Sequence, residues 1–196
     1  MNAIAKSAAA LGIVAAFAIE PASADMRGLR PSTQPDRIAA SITFNFARFA
    51  QWKSDSATPG PLVLCVFDTN ASDAWAPFDG EDVGGRNLKV RLFADADAPA
   101  PDCRMAFLSD AARSFHSTKA LADAGVLTIS DASNFARRGG AIELAIKDDR
   151  FQFEINDEAL KDAGVRISSK LLRVGMKVTV SKKDVERQSA ERQAVR

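Results

Sequence analysis

The stretch GGAIELAIKDDRFQFEIN, residues 139–156, decides how the second half of the chain folds. It opens on a glycine pair. Such a pair can cradle a phosphate when a strand precedes it and a helix follows. Here the order is reversed, with a short helical signal before and an alternating run after. Ile142, Leu144 and Ile146 alternate on one side, and Phe151, Phe153 and Ile155 repeat the pattern beyond Asp148 and Asp149. A two-residue turn at the aspartates pairs Ile146 with Phe151, Leu144 with Phe153 and Ile142 with Ile155, so all six apolar residues share one face. The stretch is predicted to be a β-hairpin, entered through Gly139 and Gly140. The same register sets Lys147 opposite Arg150 and Glu143 opposite Glu154. Like charges facing each other across strands are unfavourable. Two readings account for them: a polar face solvated at a sheet edge, or a ligand or partner that compensates the charges.

Working outward from the hairpin, apolar runs of strand length occur at 62–67 (LVLCVF), 103–109 (CRMAFLS) and 126–130 (VLTIS), each suited to a central strand covered on both faces. Residues 86–93 alternate, with Leu88, Val90 and Leu92 on one side, and predict a half-exposed strand. Helices are expected over 36–52, with Thr33 as N-cap and Pro35 and Asp36 in the first turn, and over 71–78, 110–124 and 157–164. A short helix is expected from Asp131, as its N-cap, to Gly139. In the first helix Ile38, Ile42, Asn45, Phe46 and Phe49 fall on one face and Phe44 on another. Such a helix is deeply buried or lends a face to a partner. This order argues a single α/β domain, a mixed sheet flanked by helices on both faces, with the hairpin in the C-terminal half.

The 196-residue chain is long enough for one domain with a sizeable core. Its composition is 46% hydrophobic with a formal net charge of +1, which gives no electrostatic footprint for nucleic acid. Lys6, the apolar run 8–19 and the small residues ASA at 22–24 read as a secretory signal peptide ending before Asp25. The expected organisation is signal peptide 1–24, flexible lead-in 25–35, α/β domain 36–175 and charged C-terminal tail 176–196. Sec export to a periplasm follows from that reading. In an oxidising compartment, two cysteines, Cys65 and Cys103, favour a structural disulfide over a redox switch, because neither has a CxxC partner or a nearby basic cluster.

Catalytic signals are sparse. His116 is the sole histidine and sits in a helical run, so no His-based zinc set can form. Neither a GxSxG nor an HExxH pattern occurs. FDGEDVGGR, 78–86, lacks the spacing of a calcium loop and reads as a turn. The chain has no tyrosine and two tryptophans, unlike a sugar-stacking hydrolase. No metal, cofactor or catalytic residue is expected.

The segments 38–52 (IAASITFNFARFAQW), 62–68 (LVLCVFD), 83–90 (VGGRNLKV), 103–109, 126–131 (VLTISD), 139–156 and 167–172 (ISSKLL), in this order behind a signal peptide, resemble the YfiR-like periplasmic regulators. The likeness runs from about Arg37 to Val174. It implies a small α/β binding protein, commonly a homodimer, that holds an inner-membrane diguanylate cyclase inactive by contacting its periplasmic sensor part; other members are companions of sensor histidine kinases. It also implies that Cys65 and Cys103 bridge neighbouring strands, and that Arg150, Asn156, Ser168, Ser169 and Lys170 are recurrent polar positions. The second cysteine pair of some relatives is absent, and the tail after Gly175 lies outside the pattern. The alternative reading is a periplasmic small-molecule binder with Arg150, Glu154 and Asn156 lining a shallow polar site. Phe44 is the candidate partner contact on the first helix.

Overall fold

The computed structural model describes residues 33–53, 60–68, 72–93, 102–110, 118–147, 150–172 and 177–180, with backbone alone at 72, 146, 147, 150, 170, 172 and 177–180. The expected signal peptide, His116, the turn aspartates and residues 181–196 lie outside that set.

Helix α1 spans Gln34–Phe49. Thr33 caps it as the sequence predicts, in a reciprocal box: Thr33 N–H donates to Asp36 Oδ2 at 2.6 Å, and Asp36 N–H donates to Thr33 Oγ1 at 3.4 Å. Its buried stripe is Ala39, Ala40, Thr43, Phe46 and Ala47. That corrects the expected stripe: Asn45 is exposed, and Ile38, Ile42 and Phe49 are half-buried. Small residues win the inner face because they let the helix approach the sheet closely, leaving Phe46 as its one large anchor, edge-on to Phe153 at 5.4 Å. The helix also stops earlier than predicted. Ala50–Trp52 is a strand, β1, antiparallel to β8 (Val165–Ile167). Trp52 suits helix and strand patterns equally, so only the distant pairing decides.

The main sheet is built from β2 (Leu62–Phe67), β3 (Leu88–Phe93), β4 (Met105–Leu108), β5 (Leu127–Ser130), β6 (Ile142–Lys147), β7 (Arg150–Asn156) and β9 (Lys177–Val180), in the order β3-β2-β4-β5-β6-β7-β9. From β3 to β6 all neighbours are parallel; β7 is antiparallel to β6, and β9 is parallel to β7. The mixed α/β sheet is thus as read from the sequence. The segment from Lys177 corrects the expected charged tail 176–196, since Lys177–Val180 is a strand of the sheet. β9 borders β7, so the hairpin is not the sheet edge there. The alternating Val178-Thr179-Val180 is the strand signal, short enough to be masked by the charges around it.

The sheet separates two cores, and β2 and β4 send residues to both. Leu64, Met105, Phe107, Leu127, Ile129, Ile142, Leu144, Phe153 and Ile155 join Phe46, Trp75 of α2 (Ser72–Trp75), and Leu160 of α4 (Asp157–Asp162). Full burial of a Phe or Trp side chain of this kind stabilises by roughly 2–3 kcal/mol. On the opposite face Cys65, Phe67, Ala106, Leu108, Val126 and Phe135 pack with Leu121 of α3 (Thr118–Asp123). The remaining helix, α5 (Ser169–Leu172), follows β8. Asp131 does not cap a helix. It accepts from Asp110 N–H at 2.8 Å, and the helical turn nearby is a three-residue one, Ala136–Arg138.

Candidate functional site

The hairpin has the register the alternation dictates: Ile142 faces Ile155, Leu144 faces Phe153 and Ile146 faces Phe151. Its glycine pair serves the fold. Gly139 takes φ of 98°, left-handed, at the C-cap of the Ala136–Arg138 turn. A Cβ on Gly140 would meet the Phe135 ring at 2.0 Å, and that ring is buried.

The register also sets Glu143 opposite Glu154 and Lys147 opposite Arg150. The carboxylate pair is not solvated at an edge. Glu143 is buried, and its two oxygens accept from Asn134 N–H at 3.0 Å and Ala136 N–H at 3.2 Å. The turn after β5 therefore supplies the compensating charge as backbone dipoles. Glu154 is 14% exposed and has Arg137 Nε 3.6 Å from its Oε2. Oε2 itself is sealed from solvent and accepts no hydrogen bond.

A cleft of about 560 Å³ opens here, at the carboxyl end of β5. This is the end of a parallel sheet at which ligands generally bind. It exists because β6 outruns β5: pairing stops at Ser130 and Glu143, so Leu144 and Ala145 border open space. The α1 N-terminus closes one side with Pro35 and Ala39; Phe151 adds an aromatic wall; Asp131, Arg137, Glu143 and Glu154 bring the charges. Asp131 is a rim residue whose carboxyl is turned into the protein, and the water it loses there pushes it above the ordinary 3.8. Like charge from Asp110 and Asp68 adds to the rise, and the N–H donated by Asp110 opposes it. Asn134, also at the rim, holds φ of 61°, uncommon for a residue with a side chain.

The sequence-predicted site residues separate. Glu154 lines the cleft. Asn156 does not, and the polar site expected from Arg150, Glu154 and Asn156 is corrected in that respect. Asn156 is buried as the N-cap of α4: its Oδ1 accepts from Glu158 and Ala159 N–H at 3.0 and 3.2 Å, and its Nδ2 donates to Ala136 O at 2.9 Å. Arg150 begins β7, and its side chain, like that of Lys170, lies outside the described residues. Ser168 is tied to α1 by its N–H on Phe49 O at 3.0 Å, and Ser169 is exposed at the start of α5. Phe44 is half-buried and stacked on Phe78 at 4.9 Å, so this chain already occupies part of its ring. Asp131, Asn134, Arg137 and Phe151 are not among the site residues expected from sequence. The signal that marks the first three is a polar run directly after a buried parallel strand.

Cys65 and Cys103 form a disulfide joining β2 to the segment that enters β4, with Cα atoms 5.7 Å apart. Both residues are buried, at 0% and 4% exposure, which keeps the bridge from external thiols. Among the described residues no three His, Cys, Asp or Glu side chains converge as a metal site, and no helix is long and apolar enough to cross a membrane.

A family model described as DUF4154, YfiR/HmsC-like, matches residues 36–176. No curated protein matches the chain. A solved structure, a conserved domain protein from Vibrio cholerae O1 biovar El Tor, aligns at 12% identity with a TM-score of 0.40, over 74% of this chain and 60% of that one.

Proposed function

The chain belongs to the YfiR/HmsC-like family, and from that premise we propose that it is a periplasmic regulatory protein that binds the sensor part of an inner-membrane diguanylate cyclase and holds the enzyme inactive. The match across residues 36–176 carries this reading. The apolar leader in the sequence and the buried disulfide accord with an exported protein.

The physical mechanism is a population shift. Binding to the inactive conformation of the sensor lowers its free energy, and a signal that weakens binding releases the enzyme. Turning a mostly active sensor into a mostly inactive one requires about 10⁴-fold tighter binding to the inactive form. Candidate contacts are Phe44 on α1, Ser168, Ser169 and Lys170 at the β8–α5 junction, and Arg150 at the head of β7.

The test is crosslinking in intact cells with a C-terminal tag, followed by cyclic di-GMP measurement after deletion of the gene. Capture of a membrane protein bearing a cyclase domain, with cyclic di-GMP rising on deletion and falling on complementation, is the expected result. Capture of a sensor kinase with unchanged cyclic di-GMP would place the protein with the kinase companions instead. No membrane partner under efficient crosslinking would overturn the inhibitor reading.

A further inference from the structure

We infer that the open end of the β3 edge, at Leu92, pairs with the same edge of a second copy of this chain. The two strands run antiparallel about a two-fold axis and join two seven-stranded sheets into one. The inference stands on that edge alone and does not depend on the cyclase reading.

β3 is the outermost strand on its side of the main sheet. Its neighbour is β2, where Leu62 N–H donates to Asn87 O at 2.9 Å and Leu62 is in register with Leu88. In a parallel pair that bonding turns the backbone of Lys89, Arg91 and Phe93 toward β2 and that of Leu88, Val90 and Leu92 outward. The turn before the strand covers the first two of these. Gly80 N–H donates to Leu88 O, Leu88 N–H to Glu81 O and Val90 N–H to Asp79 Oδ1, each at 2.8 Å. Among the described residues nothing bonds the outward groups of Leu92. Its side chain is also the one large hydrophobic group exposed among those residues, at 48%. An open backbone and an exposed apolar side chain thus coincide at one position. Proteins generally blunt a sheet edge, and here the blunting stops at Val90.

The pattern of the strand names the occupant, because this edge complements itself. With Leu92 facing Leu92, each copy donates its Leu92 N–H to the Leu92 O of the other. Arg91 of each copy then faces Phe93 of the other. Apolar meets apolar on one face of the joined sheet, and a guanidinium meets an aromatic ring on the opposite face. Arg91 and Phe93 already meet this way within one strand, with Cζ 5.6 Å from the ring centre. Arg91 also carries its own counter-ion, Asp102 Oδ2 at 3.4 Å, which keeps the two copies from repelling. The register is selective. A shift of two residues toward the start of the strand sets Arg91 against Arg91 and demands the Val90 N–H that Asp79 holds. Two hydrogen bonds and a small apolar contact make a weak, reversible dimer.

The test is sedimentation velocity of the purified protein over a concentration series, with cysteine crosslinking to locate the contact. A monomer–dimer equilibrium with a dissociation constant of about 10–100 µM is expected. Leu92→Lys, at an exposed position, should weaken association at least about tenfold while circular dichroism and the melting midpoint stay unchanged. Leu92→Cys should form a covalent dimer under mild oxidation, because facing residues of such a pair have Cα atoms about 5.5 Å apart. Lys89→Cys, also exposed, sits about 20 Å from its own copy in this register and should not crosslink. The proposal is overturned if the protein stays monomeric up to about 1 mM. That result would leave the edge to a strand of another protein, and the inhibitor reading would stand or fall on its own crosslinking test. It is equally overturned if a dimer forms and Leu92→Lys leaves it intact, or if Leu92→Cys crosslinks no faster than Lys89→Cys.

Discussion

Glu143 is the residue that changes the meaning of the hairpin. A carboxylate opposite Glu154 looks unfavourable on an open sheet face, but both its oxygens are held by N–H groups of the turn after β5. Replacing Glu143 with Ala leaves those two donors without an acceptor, one of them buried. Stability should fall by about 2–3 kcal/mol, a little less once relief of the like-charge pair is counted. Urea unfolding measures it, and an unchanged midpoint would show that water or another acceptor takes over. Asp131 supplies a second expectation, in pH. Its carboxyl is pushed above 3.8 in the folded chain, so the folded state favours the protonated form. The resulting stability is fully present below that ordinary value and is lost as pH rises through the raised one. Asp131→Asn cannot ionise, so its stability relative to the unsubstituted protein should climb between about pH 4 and about pH 7. Parallel unfolding curves at the two pH values decide it; a constant difference would refute the shift.

At the scale of elements, the hairpin was legible because a period of two over two facing runs admits one register. The capping box of α1 was legible for a similar reason, since Thr33 and Asp36 are three residues apart. What sequence could not show was the use made of the hairpin's neighbours. Gly140 looked like loop freedom and is in fact the space for a buried ring. Gly140→Ala should cost about 1–3 kcal/mol by driving a Cβ into Phe135, which has nowhere to go. Wild-type stability in that variant would mean the turn relaxes freely. Asn156 looked like a recognition residue and instead joins three elements: it ends β7, caps α4 and ties down the 136–138 turn. Asn156→Ala should lose about 2–3 kcal/mol through the cap and the buried carbonyl together. Chemical denaturation of Asn156→Ala beside Asn156→Asp, which keeps the cap but drops the donor, separates the two contributions: the aspartate variant should retain α4 and lose less.

Over the whole molecule, the disulfide fastens β2 to the segment that enters its parallel neighbour β4. It closes a separation of 38 residues, which corresponds to about 3–4 kcal/mol of stability. The Cys65→Ser, Cys103→Ser double variant should unfold at correspondingly lower urea. The native protein, with both residues buried, should resist thiol labelling in mild reductant until it unfolds. Labelling of the folded protein would instead point to a redox-sensitive bridge. The cleft is also a property of this scale. It arises from the offset between β5 and β6, the lie of α1 across the sheet, and the turn that folds back on Glu143.

The sequence by itself determined the α/β class, the buried central strands, the hairpin and its register, and the start of α1. Each of these is written in patterns a few residues long, where local geometry and a periodic apolar face leave one consistent answer. Only the tertiary structure decided that Ala50–Trp52 leaves the helix to pair with Val165–Ile167, that Lys177–Val180 joins the sheet, that Asn156 is structural, and that Glu154 faces a cleft with Asp131 and Arg137. Ala50–Trp52 continues a helical pattern and Lys177–Val180 is short and set among charges, so neither declares itself locally as the apolar runs of β4 and β5 do. The environment of a charged side chain is set by segments far away in the chain, whose contacts outweigh any local preference.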